Sequence, residues 1–194
     1  MMNFDETFWT KKYETGKTGW DMGEVSPPIK AYFDRVDNKD LHILIPGGGN
    51  SYEAEYLFRQ GFRNVYLLDI AVNPLDNLKH RAPDFPKENL VHQNFFDFEG
   101  CFDVIVEQTF FCALAPSLRK EYVKKMHSLL KNEGKLVGVL FDKSLNEEHP
   151  PFGGSKSEYI DLFSPYFQLK TIEKSYNSFP SRAGMELFIQ FNKE

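Results

Sequence analysis

Leu41-His42-Ile43-Leu44-Ile45-Pro46-Gly47-Gly48-Gly49-Asn50-Ser51 reads as a short β-rich run closed by a proline and three glycines. Residues 51–60 follow with Ala54, Leu57 and Phe58 on one helical face and a stop at Gly61. A buried strand, a glycine turn and an amphipathic helix together open an α/β sheet. The pattern then repeats. Residues 65–68 form a second strand ending at Asp69, and a helix over 72–79 is broken by Pro83 and Pro86. Residues 89–92 and 102–106 are the third and fourth strands. Pro116 opens a helix to about residue 131, Asn132-Glu133-Gly134 turns the chain, and residues 135–141 are a fifth strand. Loop signals fill 146–155, and Tyr159, Leu162 and Phe163 mark a last helix. Residues 167–172 and 187–191 are two strands joined by a Pro/Gly-containing loop with no helix, so they are expected to run antiparallel.

Strands separated by helices predict one three-layer α/β/α domain, with a Rossmann-like, mostly parallel seven-stranded sheet and an antiparallel C-terminal hairpin. The core spans residues 41–194, and residues 1–40 lie outside the sheet pattern. Composition narrows the function. The 194 residues carry a net charge of −5, which argues against a nucleic-acid partner. No apolar run reaches the roughly 18 residues of a membrane span, and the first residues lack the apolar core of a signal peptide. Cys101 and Cys112 make no disulfide framework and have no partners at metal-ligand spacing. A soluble, cytoplasmic monomer without a metal is expected. Aromatic residues, 15% of the chain with 19 Phe, are numerous enough to line a pocket as well as fill a core.

Open α/β sheets bind ligands at the carboxyl ends of their strands. There, Gly47, Gly48 and Gly49 allow positive φ and close backbone approach beside a helix N-terminus. Asp69 ends the second strand, where a carboxylate can take both hydroxyls of a ribose. A dinucleotide fingerprint would need a sixth-position glycine, but Tyr52 stands there, and no Gly-Lys-Ser/Thr follows for a P-loop. An adenosine ligand without a pyrophosphate remains, and S-adenosyl-L-methionine (SAM) is the natural candidate, with S-adenosylhomocysteine (SAH) as its product. Asn94-Phe95, after the third strand, either reads an adenine edge and face or only turns the chain. Glu107-Gln108-Thr109 closes the fourth strand and either holds the amino-acid part of the cofactor, faces the acceptor, or simply leaves the sheet.

Four stretches carry a family resemblance: Phe8-Trp9 with Gly19-Trp20-Asp21-Met22-Gly23; Ile45-Pro46-Gly47-Gly48-Gly49; Phe102-Asp103-Val104-Ile105-Val106-Glu107-Gln108-Thr109-Phe110-Phe111-Cys112-Ala113-Leu114; and Pro150-Pro151-Phe152. The chain resembles a class I SAM-dependent methyltransferase of the thiopurine S-methyltransferase-like family, nearest in these motifs to the plant-type halide/thiol methyltransferase branch. The resemblance implies a lid formed by the N-terminal segment, with Trp9, Tyr13 and Trp20 closing around SAM. Aromatic faces suit a sulfonium cation. It further implies Gly47 under the methionine moiety, Asp69 on the ribose, and Asn94 and Phe95 around the adenine. Gln108 departs from the Arg or Tyr usual in the family, and Asn94 from its common Asp.

The implied reaction is in-line methyl transfer to a small soft nucleophile, a thiol or a halide or thiocyanate anion. A thiopurine, selenol or metalloid acceptor, or SAM binding without turnover, are the alternatives. No certain base is visible. His149 is a solvated loop residue, and Cys112 a small buried hydrophobe. Arg182 is a candidate for attracting an anionic acceptor, and Gln108, Phe110, Phe111, Phe152 and Phe179 are candidates for the acceptor chamber.

Overall fold

A computed structural model describes residues 4–194. Seven strands form one sheet in the order β3-β2-β1-β4-β5-β7-β6: β1 (His42–Pro46), β2 (Asn64–Asp69), β3 (Leu90–His92), β4 (Phe102–Gln108), β5 (Leu130–Phe141), β6 (Gln168–Lys174) and β7 (Glu186–Asn192). The first five pair in parallel, and β7 lies antiparallel between β5 and β6. The sheet is therefore the mostly parallel one expected, with its antiparallel hairpin at the end.

Alternation along the central strands divides the core into two layers. Ile43, Ile45, Val104 and Val106 face one side, where α2 (Pro27–Phe33), α3 (Tyr52–Arg59) and α4 (Val72–Arg81) bring Ile29, Phe33, Leu57 and Leu78. Leu44, Ile105 and Leu136 face the other, against Tyr122, Met126 and Phe163 of α5 (Arg119–Leu129) and α6 (Lys156–Phe163). Both faces are covered, so the strands read as nearly unbroken apolar runs. No helix among the described residues is long and apolar enough to cross a membrane.

Most element ends shift by one to three residues from the sequence reading, and two differences bear on the packing. The helix expected to reach residue 131 stops at Leu129, and β5 begins at Leu130 instead of Lys135. Leu130 already sits opposite Phe102, while Lys135 sits opposite Val104, so Asn132-Glu133-Gly134 turns inside an irregular strand, with Glu133 at φ +63°. Lys193 Nζ fixes the junction by donating to the carbonyls of His127 (2.8 Å) and Leu130 (2.7 Å). The second difference concerns residues 1–40. Helix α1 (Glu6–Glu14) buries no residue, whereas α2 buries Pro28, Ile29 and Phe33. The apolar side of α2 makes it part of a helical layer, and only the stretch before it lies over the strand ends.

Candidate active site

The carboxyl ends of β1, β2 and β4 and the start of the chain enclose a cavity of roughly 750 Å³. The glycine turn forms its base. Gly47 (φ +55°) and Gly49 (φ +56°) both hold left-handed conformations that favour glycine. Gly47 is also needed for close approach: a Cβ there would stand 2.2 Å from Phe110 Cδ2. At Gly49 a Cβ would meet Trp20 Nε1 at 3.4 Å. Both glycines line the cavity, but Gly48 does not; it turns toward Leu67 and Ser51, so its part is to close the turn.

Asp69 ends β2 at the cavity wall. It is buried, and Oδ1 accepts a hydrogen bond from Ala71 N at 2.9 Å. Burial pushes its pKa up to about 7, against the pull of backbone N–H donors. A carboxylate so placed gains from ligand hydroxyls. Asn94 is a turn residue, its Oδ1 accepting from Phe96 N (3.0 Å), and it also lines the cavity. Phe95 beside it meets Phe110 edge-on at 5.0 Å.

The N-terminal segment covers the other side. Asp5 caps α1 by accepting from Phe8 N. Trp20 meets both Trp9 and Tyr13 edge-on with centroids 5.6 Å apart, and all three line the cavity. Glu6 and His92, at 3.2 Å, tie α1 to the end of β3. The Asp21 carboxylate accepts from Asn50 Nδ2, which joins this segment to the glycine turn.

Fold, cavity and glycine turn now stand together, and the sequence profile described as thiopurine S-methyltransferase matches residues 4–188. The chain belongs to the thiopurine S-methyltransferase family. It is a SAM-dependent methyltransferase. Its relatives include the protein named probable thiol methyltransferase 2 from Arabidopsis thaliana, 29% identical over 191 residues, covering 95% of this chain and 84% of that one. Thiocyanate methyltransferase 1 from Brassica oleracea is 28% identical over 195 residues, covering 97% and 86%. Among solved structures, the 1,6-didemethyltoxoflavin-N1-methyltransferase of Burkholderia thailandensis, with bound 1,6-didemethyltoxoflavin and S-adenosylhomocysteine, superposes with a TM-score of 0.80 at 16% identity, covering 97% and 86%. That likeness is one of fold.

Other expected site residues of this thiopurine S-methyltransferase-family chain lie away from the cavity. The Glu107 carboxylate turns into the core, where it accepts from Phe110 N (2.8 Å), Phe111 N (2.9 Å) and the Tyr122 hydroxyl. Gln108 is buried and off the cavity wall, with neither amide atom hydrogen-bonded. Strand alternation explains both: within β4 the side chains still point into one helical layer or the other, and the chain reaches the cavity only at Thr109, which has φ +59°. Phe111 is core, its ring 5.1 Å from Tyr122 and 5.5 Å from Tyr159. Phe152 is buried behind Phe4, and Phe179 also lies off the wall. Phe110, by contrast, does line it.

The apolar part of the wall is instead made by Leu114, Leu118, Phe141, Leu145, Pro150 and Met185, with Cys112. The Cys112 thiol donates to Thr109 O, and burial pushes its pKa up to about 12. Arg182 is here too, but its Nη2 donates to Trp20 O (2.7 Å) and its Nη1 pairs with Glu186 at 3.4 Å. Of the residues that sequence reasoning missed, Pro150 and Pro151 stood within a quoted motif. Leu114 also closed a quoted motif, whereas Leu118 and Met185 gave no signal beyond their apolar character.

Proposed function

We propose that this methyltransferase moves the methyl group of SAM to the sulfur of a small thiol or to a halide or thiocyanate anion. The observation that carries this reading is the apolar acceptor end, walled by Leu114, Leu118, Phe141 and Met185, whose one buried cation is already paired with Glu186. Such a wall suits a soft, weakly hydrated nucleophile and offers little to a strongly hydrated one. The relatives named for thiol and thiocyanate substrates support the same acceptor class.

The residues fit the cofactor. Asp69 would take the ribose hydroxyls, Gly47 and Gly49 would let the amino-acid portion pass over bare backbone, and Phe95 would pack on the adenine. Bound SAM supplies a methyl group already activated by a sulfonium charge. What remains for the protein is orientation and exclusion of water. Trp9, Tyr13 and Trp20 would cover the sulfonium end as a lid, presenting aromatic faces to a cation. An anionic acceptor needs no base. A thiol, with a pKa of about 8.5, supplies thiolate by simple ionisation, and the protonated Cys112 neither competes as nucleophile nor acts as base.

The test is transfer of label from methyl-labelled SAM to iodide, thiocyanate, bisulfide, thiophenol and 6-mercaptopurine. Volatile or extractable methylated product from any sulfur or halide acceptor supports the reading, and the preferred one names the branch. Protein that binds SAM yet labels none of them removes this acceptor class.

A further inference from the structure

We infer that Arg182 is a positioning residue that clasps the Trp20 segment shut over the cofactor, and that it does not serve as a holder of anionic acceptors. The inference rests on the reading of this cavity as the SAM site. Arg182 stands in a short turn (Pro180–Arg182) between β6 and β7, and Trp20 in the segment before α2. Their bond, Nη2 to Trp20 O at 2.7 Å, joins residues 162 positions apart.

Charge around the guanidinium argues for this role. Arg182 is only 7% exposed and Glu186 only 2% exposed, so their pair is a buried, nearly neutral unit. A second buried carboxylate, Glu53, feels the same guanidinium while accepting from Ser26 N at 2.8 Å. Paired with Glu186, the guanidinium has little net charge left to offer an incoming anion. The guanidinium also lies over Phe141, centroid distance 5.5 Å, which fixes its plane.

Geometry gives the bond its consequence. Trp20 carries the indole that lies against Gly49 and touches Trp9 and Tyr13. Its carbonyl is held by Arg182, and the next residue, Asp21, is held by Asn50 of the glycine turn. The segment is thus bolted at adjacent residues to two different walls of the cavity. Arg182 lines the cavity beside Ser181 and Met185, so the same side chain ties the acceptor wall to the covering segment. Swinging that segment away to release the cofactor product must break this bond.

The sequence holds only two tryptophans, Trp9 and Trp20, so fluorescence excited selectively at tryptophan reports this segment. The experiment is stopped-flow release of SAH from the wild-type protein and from R182K, R182M, E186Q and the double variant R182M/E186Q, with thermal denaturation of each. R182M is expected to speed release about tenfold to a hundredfold, as loss of one hydrogen bond from a charged donor implies. R182K, which can still reach a carbonyl with one donor, should recover part of the effect. The double variant removes both buried charges; it should keep near-wild-type thermal stability and still release SAH as fast as R182M. E186Q alone leaves the Trp20 bond in place and should release SAH at the wild-type rate. Unchanged release in R182M and the double variant, with a KM increase confined to thiocyanate and iodide, would overturn the clasp in favour of direct anion binding. SAH release needs no acceptor, so failure of the proposed acceptor class leaves this result standing; wild-type protein that binds no SAH at all would overturn the clasp and the cofactor site together.

Discussion

The ring of Phe110 lies directly over Gly47, so close that a Cβ on the glycine would stand 2.2 Å from Cδ2 and 2.8 Å from Cε2. Gly47→Ala therefore meets two penalties, the left-handed backbone at φ +55° and a clash with an aromatic wall of the cavity. The backbone term alone is about 1–2 kcal/mol, or roughly a 2–8 °C fall in melting temperature for a chain of this size. Thermal denaturation should show at least that loss. Adding Phe110→Ala should recover the clash component and leave the backbone component. Full recovery would mean that the left-handed conformation costs nothing here.

If Asp69 takes the ribose hydroxyls as proposed, cofactor binding should depend on pH. Its carboxyl titrates at about 7 because it is buried, and hydroxyl ligands favour the ionised form. Affinity for SAH should therefore be highest above pH 8 and weaken as pH falls, by up to about tenfold per unit well below 7. Asp69→Asn should bind weakly throughout and lose this dependence. Isothermal titration across pH 5.5–8.5 decides the matter; a parallel slope in the variant would assign the effect to another group.

Glu107 holds the loop that presents Phe110 to the cavity. Glu107→Ala strips acceptors from Phe110 N, Phe111 N and the Tyr122 hydroxyl, and each unsatisfied buried donor costs about 1–3 kcal/mol. Glu107→Gln keeps an acceptor for the two N–H groups, so it should fold far better than the alanine variant.

The same carboxyl shapes stability against pH. It releases its proton near 4.5 in the unfolded chain and at about 7 in the folded protein, because burial opposes the charge. The folded state thus binds the extra proton between those values. Its contribution is complete below 4.5 and is lost as pH rises through 7; Asp69, raised from 3.8, acts in the same direction. The ligand-free protein should melt higher at pH 5.5 than at pH 8, and Glu107→Gln should narrow that gap. An equal gap in the variant would exonerate Glu107.

Trp20 lies over Gly49 yet is only half-buried, so Trp20→Ala should weaken SAM binding more than it lowers the melting temperature. Equal loss of both would make the indole a structural pin and remove its role as a cover.

Much of this was legible in the sequence because its signals are local. The run from Leu41 to Ser51 contains a strand, its turn and the start of a helix, and Asp69 is marked by its place at the end of the next strand. The resemblance added Trp9, Tyr13 and Trp20, which no periodicity marks. What stayed illegible depends on direction or distance. Glu107 and Gln108 look like site residues because they end a strand, but whether the chain turns before or after them is decided by one left-handed residue, Thr109. Phe110 and Phe111 both meet Tyr122, and only the fold shows Phe111 turning on to Tyr159 and Phe163 in the core. Arg182 announced a free cation, and only folding shows Glu186 and Trp20 O around it.

The two longest of these ties have a consequence for the newly made chain. Trp20 O is met by Arg182, and Pro27 O by Asn177 Nδ2 at 3.2 Å, so residues 20–27 wait for residues synthesised some 150 positions later. Until residues 177–182 have left the ribosome, the segment from Trp20 to Pro27 lacks these two anchors, although its contacts with Gly49 and Asn50 can already form. Contacts of such sequence separation form late in folding. A nascent chain halted before residue 177 therefore holds Trp9, Tyr13 and Trp20 without the Arg182 bond, and it is this intermediate, more than the finished protein, whose aromatic rings are loosely covered.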